Sequence, residues 1–199
     1  MILQVALLAC LVIVASGNLC CPRNGLQFSA FQDITFTNSS TTMRGLYFFV
    51  YDGVNQKYIV GDDRIATNFV GTGKTIYDYQ TRTGYKIDSK ARTCTKFPLQ
   101  GNFEDQENIC VPSGAVTLGP LFYGYNIDTL HARTYTYNST TADGRQHTVY
   151  STVTEDCVPI FTTKTTTGGP GGNSLYLLAY NNVFPGIKDM SVFDIPSYC

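Results

Sequence analysis

The sequence predicts an antiparallel all-β protein, and three observations carry that prediction. Strand-favouring residue types dominate, with 25 Thr, 14 Tyr and 12 Phe in 199 residues. The acidic residues are 12 Asp but only 3 Glu, whereas long soluble helices are usually rich in Glu, Lys, Ala and Leu. Short apolar runs recur between clusters of Gly, Asn and Asp, the pattern of strands joined by hairpin turns.

The elements follow in order. Residues 1–17 hold no charged side chain, and 3–15 are almost wholly apolar, with Gln4 as the polar break. The stretch ends Ala15-Ser16-Gly17, placing small residues at −3 and −1 of a cut before Asn18, which reads as a secretory signal peptide. No later run approaches the ~18 apolar residues that a membrane helix needs. Residues 18–199 have the size of one domain. Residues 25–36 alternate loosely, and Asn38-Ser39-Ser40 is a glycosylation sequon in a polar turn. Leu46-Tyr47-Phe48-Phe49-Val50-Tyr51 is a strongly apolar strand. Asp52-Gly53-Val54-Asn55 is a turn, and Lys57-Tyr58-Ile59-Val60 returns as the partner strand.

The same rhythm continues. Residues 75–79 read as a strand, Thr83-Gly84 as a turn and 85–88 as a strand. Residues 121–125, 133–137 and 147–153 are strands. Asn138 opens a second sequon in a polar segment, and Asp143-Gly144 is a turn. Residues 158–167 form a Thr-rich strand, 168–172 a glycine turn and 174–181 the returning strand. About nine or ten strands joined mainly by turns give an antiparallel domain. Helix is limited to short pieces near 105–109 and 189–193.

Charge and motif content exclude several functions. A net charge of −1 does not suit nucleic acid or polybasic membrane docking. Gly71-Thr72-Gly73-Lys74-Thr75 imitates the end of a phosphate-binding loop, but Asn68 stands where the motif needs its first Gly, and a strand follows instead of a helix. Neither G-x-S-x-G nor H-E-x-x-H occurs. The two histidines, His131 and His147, read as surface strand residues. Asp62-Asp63, Asp189 and Asp194 offer oxygen ligands but no EF-hand spacing, so they read as solvated turns. Six cysteines remain after residue 17: Cys20, Cys21, Cys94, Cys110, Cys157 and Cys199. An even set in an exported chain reads as disulfides whose connectivity the spacing leaves open. The aromatic wealth has two readings, plain sheet core or a pocket for an apolar ligand between two curved sheets.

Several motifs point further. Cys20-Cys21-Pro22, the string Tyr51-Asp52-Gly53-Val54-Asn55-Gln56-Lys57, Lys86-Ile87-Asp88 before Cys94, Asp156-Cys157-Val158-Pro159, and the tail Gly186-Ile187-Lys188-Asp189-Met190-Ser191-Val192-Phe193-Asp194-Ile195-Pro196-Ser197-Tyr198-Cys199 together resemble the ependymin-related proteins. The family usually has Pro where Met190 stands. The resemblance implies a secreted or lysosomal glycoprotein that tends to form homodimers. It implies a fold similar to bacterial lipoprotein carriers, with two stacked antiparallel sheets enclosing a hydrophobic pocket. It also implies binding of lipid or another hydrophobic molecule without catalysis; calcium (Ca2+) binding and cell–matrix adhesion are attributed to the family too. Carried over, the family's disulfides are Cys94–Cys199 and Cys157 with Cys20 or Cys21, leaving Cys110 for the other member of the doublet.

The expectation is therefore a secreted carrier of a hydrophobic ligand, with Tyr47, Phe48, Phe49, Tyr51 and Ile59 as candidate pocket residues and glycans at Asn38 and Asn138. Tyr47, Phe49 and Tyr51 share one strand face, and Phe48 and Val50 the other. No metal ligand set is assigned, and no cofactor is required. The competing reading is a calcium-linked extracellular matrix protein in which the aromatics are only core.

Overall fold

A computed structural model describes residues 19–22, 25–62, 73–106, 109–125, 128–140, 144–168 and 172–199. The signal-peptide stretch, Asp63, Asn68, Gly71, Thr72 and Asp143 lie outside them. The strands are β1 (Gln27–Asn38), β2 (Thr42–Asp52), β3 (Lys57–Asp62), β4 (Gly73–Asp78), β5 (Thr83–Asp88), β6 (Thr93–Pro98), β7 (Val116–Tyr125), β8 (Asp128–Thr140), β9 (Gln146–Thr154), β10 (Pro159–Thr167) and β11 (Ser174–Pro185). In place of the two stacked sheets that the resemblance implied, they join into one sheet, ordered β6-β5-β4-β3-β2-β1-β11-β10-β9-β8-β7. The all-β antiparallel class holds. Two meanders, β1–β6 and β7–β11, meet where β1 pairs antiparallel with β11, as at Ile34 opposite Leu178.

Three hairpins, β2–β3, β4–β5 and β5–β6, share one device. The Asp52 carboxylate accepts the N–H groups of Val54 and Asn55, both at 3.1 Å. Asp78 accepts the N–H of Thr81 at 3.1 Å, and Asp88 those of Lys90 and Ala91 at 2.9 Å. Four residues after each aspartate the backbone turns left-handed, at Gln56 (φ 50°), Arg82 (φ 56°) and Arg92 (φ 52°). A short Asp or Asn side chain reaches the N–H groups of its own turn, which accounts for Asp rather than Glu at these three positions. Asn38 does the same between β1 and β2, accepting from Ser40 and Thr41.

This device moves one turn. The expected turn at Thr83-Gly84 falls instead on residues 79–82, and Gly84 sits inside β5 opposite Phe97. A Cβ on Gly84 would come within 2.2 Å of the Phe97 ring, so close approach, not turn geometry, demands glycine there. Strand β6 escaped the sequence reading because Thr93, Thr95 and Lys96 give it no apolar alternation. The two short helices are 3₁₀ turns at Phe103–Asp105 and Met190–Phe193.

The strands β6 and β7 are the opposite edges of the sheet, so the chain between them, residues 99–115, must cross its width. That crossover lies on one face, where Leu99, Phe103, Ile109 and Cys110 pack on Phe28, Ala30, Phe49, Tyr51, Tyr58, Leu178 and Tyr180. Phe103 stacks on Tyr51 at 5.1 Å between ring centroids. The opposite face of β2–β5 carries Val50, Ile59, Ile76 and Ile87, each 1% exposed. It is covered by Ile187, Val192, Phe193 and Tyr198 of the C-terminal segment. These are called the crossover face and the tail face below. Fully burying each such aliphatic side chain contributes about 1.5–3 kcal/mol.

Three disulfides pin the covers. Cys94–Cys199 ties the tail to β6, Cys21–Cys110 ties the N-terminal segment to the crossover, and Cys20–Cys157 ties it to the β9–β10 turn. The doublet is thereby divided: Cys20 also bridges Val111 and joins a small core with Tyr135 and Val153.

Candidate functional site

Strand β2 is the centre of the site. Its alternation sends Phe49 and Tyr51 to the crossover face and Phe48 and Val50 to the tail face. On the crossover face the aromatic layer does not fill the space. A cavity of about 380 Å³ remains between Gln32 and Ile34 of β1, Phe49 of β2, Tyr58 and Val60 of β3, and Tyr77 of β4. Gln106 and Ile109 of the crossover close it, and Tyr176, Leu178 and Tyr180 of β11 complete the wall. Ligand sites typically span about 300–1,000 Å³ with apolar walls and a few polar groups, so this cavity lies within that range.

The walls are held by ring contacts. Phe49 meets Tyr180 edge-on at 5.4 Å, and Tyr58 stacks on Tyr77 at 4.3 Å. Such pairs add about 0.5–1.5 kcal/mol beyond burial. The polar tips are cross-linked: the Tyr58 hydroxyl donates to Gln106 Oε1 at 3.4 Å, and Gln106 Nε2 donates to the Asn102 carbonyl at 3.0 Å. Tyr180 is hydrogen-bonded to Gln32. Burial raises the Tyr58, Tyr77 and Tyr180 phenols above their ordinary range and pushes Tyr176 up to about 12. All four are therefore neutral at physiological pH.

The residues nominated from sequence do not converge on one cavity. Phe49 lines the crossover-face cavity, with Tyr51 buried in the same layer, under Phe103. Tyr47 lies on that face, half-buried, its ring folded against Gly45. Phe48 and Ile59 point the other way. Ile59 is packed in the tail-face core. Phe48 lines a smaller space of about 240 Å³ between the sheet and the tail, with Phe31, Phe184, Ile187 and Val192. Sequence reasoning missed Tyr176, Leu178 and Tyr180, which reach the site only through the β1–β11 pairing. It also missed Gln106, which lies in an irregular segment. The alternation of Tyr176, Leu178 and Tyr180 along β11 was the one available signal.

Other expectations fall as follows. His147 is buried rather than on the surface, with Nδ1 2.8 Å from Thr166 Oγ1; His131 is exposed and lies edge-on to Phe122 at 5.0 Å. Asn38 ends β1, but Asn138 is an exposed residue of β8 that accepts a hydrogen bond from Thr148, not a turn residue. The strand expected from Thr75 is β4, which begins two residues earlier and takes in Gly73 and Lys74. A third space of about 300 Å³ sits at the β7–β8 edge beside Phe122, His131 and Arg133. Among the described residues no three His, Cys, Asp or Glu side chains group as a metal site, and no helix is long and apolar enough to cross a membrane.

A family model described as Ependymin matches residues 69–199. The chain belongs to the ependymin family. Two relatives from Haliotis asinina match over their whole length. Ependymin-related protein 1 is 58% identical over 200 residues, covering 100% of this chain and 99% of its own. Ependymin-related protein 2 is 51% identical over 203 residues, with the same coverage. Among solved structures the chain is similar to a putative outer membrane lipoprotein-sorting protein domain from Vibrio parahaemolyticus, with TM-score 0.43, 9% identity, and 84% of this chain and 89% of that one covered. It is also similar to a LolA superfamily protein from Nitrosomonas europaea, with TM-score 0.44, 10% identity, and 88% and 93% covered. Those likenesses are of chain trace and say nothing of ligands.

The ependymin motifs now have physical roles. The string at residues 51–57 is the first aspartate-capped hairpin. Asp52 is fully buried; burial alone would raise its carboxyl, but hydrogen bonds from Asn55, Gln27 and the Val54 N–H hold it below the usual range. The tail string at 186–199 is the cover of the tail face. It is started by Asp189, which accepts the Ser191 N–H at 2.9 Å, and is held by Lys74 Nζ donating to the Val192 carbonyl at 2.5 Å.

Proposed function

We propose that this ependymin-family chain is an exported, disulfide-bonded carrier that holds a largely apolar ligand in the crossover-face cavity and performs no catalysis. One observation supports the reading: β2 is apolar on both faces, its tail face is covered by the C-terminal segment, which leaves a smaller space beside Phe48 and Val50, and its crossover face borders a larger aromatic-walled space. Burial drives uptake at about 0.8 kcal/mol per methylene. Two independent arms test it. Protein purified without detergent from a eukaryotic host is extracted and analysed by mass spectrometry, and emptied protein is titrated with a fluorescent fatty-chain probe. A co-purifying lipid-like molecule, or saturable uptake of the probe, is the expected result; the absence of both overturns the carrier.

Export, with cleavage before Asn18, brings the sequons into play. Asn138 is exposed, and Asn38 uses only its Oδ1 in the turn, which leaves Nδ2 for a glycan. Mass loss on N-glycosidase treatment is expected. A homodimer is supported by β7, an edge strand that exposes Val116, Leu118, Leu121 and Phe122; such an edge invites pairing. Calcium has at most a weak place, because the carboxylates of Asp52, Asp78 and Asp88 accept N–H groups of their own turns. A submicromolar calcium affinity by titration calorimetry would contradict that assignment.

A further inference from the structure

Resting on the reading of the crossover-face cavity as a ligand site, we infer that its ligand carries an uncharged hydroxyl, ester or amide head, as in a long-chain alcohol or a monoacylglycerol, and not a free carboxylate.

The polar inventory of the lining consists of four phenols, Tyr58, Tyr77, Tyr176 and Tyr180, and two carboxamides, Gln32 and Gln106. Each of these groups both donates and accepts hydrogen bonds, and none carries a charge. Burial keeps the phenols protonated well past neutrality. A ligand hydroxyl or ester needs donors and acceptors at once, and this wall supplies both. An ionised carboxylate needs a compensating cation when it leaves water, or it pays the cost of an unpaired buried charge. Among the described residues the lining holds no Lys, Arg or His. Lys164 of β10 reaches over the Tyr176 ring, 6.0 Å from its centroid, but does not line the cavity. The phenol–amide pairs Tyr58–Gln106 and Tyr180–Gln32 place neutral hydrogen-bonding groups on two sides of an otherwise apolar chamber. Recognition is then by hydrogen bonding to a neutral head, with hydrocarbon against Ile34, Val60 and Leu178.

Titration calorimetry on the full mature protein, emptied of co-purified molecules, tests this with decanol, monodecanoylglycerol and decanoate. At pH 8 the alcohol and the glyceride are expected to bind at least about tenfold tighter than the carboxylate. At pH 3.5, where the acid is largely protonated, the gap should close. Gln106→Leu, on the half-buried crossover, and Tyr176→Phe should each narrow the preference, while the protein stays folded by circular dichroism. Lys164→Met should leave the ratio unchanged. Decanoate binding as tightly as decanol at pH 8, or losing its affinity in Lys164→Met, overturns the neutral-head assignment and leaves the carrier intact. Failure of all three probes to bind overturns the carrier reading, and this inference with it.

Discussion

The two faces of β2 are built from the same six-residue run, yet they pack differently. On the tail face the fully buried side chains are aliphatic: Val50, Ile59, Ile76 and Ile87 interlock, with Phe48 and the tail packed against them. On the crossover face they are aromatic, their hydroxyl tips are bridged to glutamines, and space is left over. Branched aliphatic side chains have no polar atom to satisfy and fill a layer densely. Rings with a polar end cannot bury that end against hydrocarbon without a partner, so they stand off from one another around a chamber. On the proposed reading, the contrast sets a structural face against a binding face on one strand.

The largest way to break that contrast is to unlatch the tail. Replacing both Cys94 and Cys199 with Ser opens a link spanning 105 residues, worth about 4–5 kcal/mol in the chain-entropy model. Urea denaturation should show that loss, with probe binding per folded molecule preserved. Adjacent residues on β3 sharpen the comparison next. Ile59→Ala, in the sealed layer, should cost about 3 kcal/mol and leave affinity alone. Gly84→Ala should cost about 2 kcal/mol by driving a methyl into the Phe97 ring, which marks where the crossover face is tightly packed. Val60→Ala, on the cavity wall, should cost only about 1 kcal/mol, because little packing is lost beside open space; its main effect should be weaker uptake.

The smallest effect at working pH is that of the phenols. Their folded-state values lie above the unfolded value near 10, so their stabilisation is complete below that pH. As pH rises past 10 the unfolded chain loses protons that the folded one retains, and stability falls. The contribution of Tyr176 is exhausted at about 12. Denaturation midpoints measured from pH 7 to 11 should be flat to about 9 and then decline.

The need for two covers on β2 was legible in Leu46 to Tyr51, since a strand with one side in water alternates and this one does not. What supplies the covers was not. Ile187, Val192, Phe193 and Tyr198 follow neither a strand nor a helix period, because the tail runs through a 3₁₀ turn and irregular chain. The nomination of Phe48 and Ile59 beside Phe49 spanned both faces, because the run alone does not say which face borders a cavity; the Val50–Ile59 pairing puts Ile59 on the tail face. Tyr176 and Tyr180 could not be placed from sequence, because β1–β11 pairing joins strands at opposite ends of the chain and no local signal sets that register. The aspartate-capped turns were legible in principle. Asp52, Asp78 and Asp88 each precede a four-residue loop, and noticing that repeat would have moved the turn off Gly84.

The central claim is the proposal that the ligand lies on the crossover face of β2 and not in the smaller space under the tail. Photo-crosslinking tests it most directly. A diazirine-bearing neutral lipid is bound, irradiated and mapped by peptide mass spectrometry. The expected adducts fall on residues 57–60 and 76–78, on Gln106 and Ile109, and on residues 176–180, and none on the tail. Adducts concentrated on residues 186–193, with the crossover face unlabelled, would contradict the account.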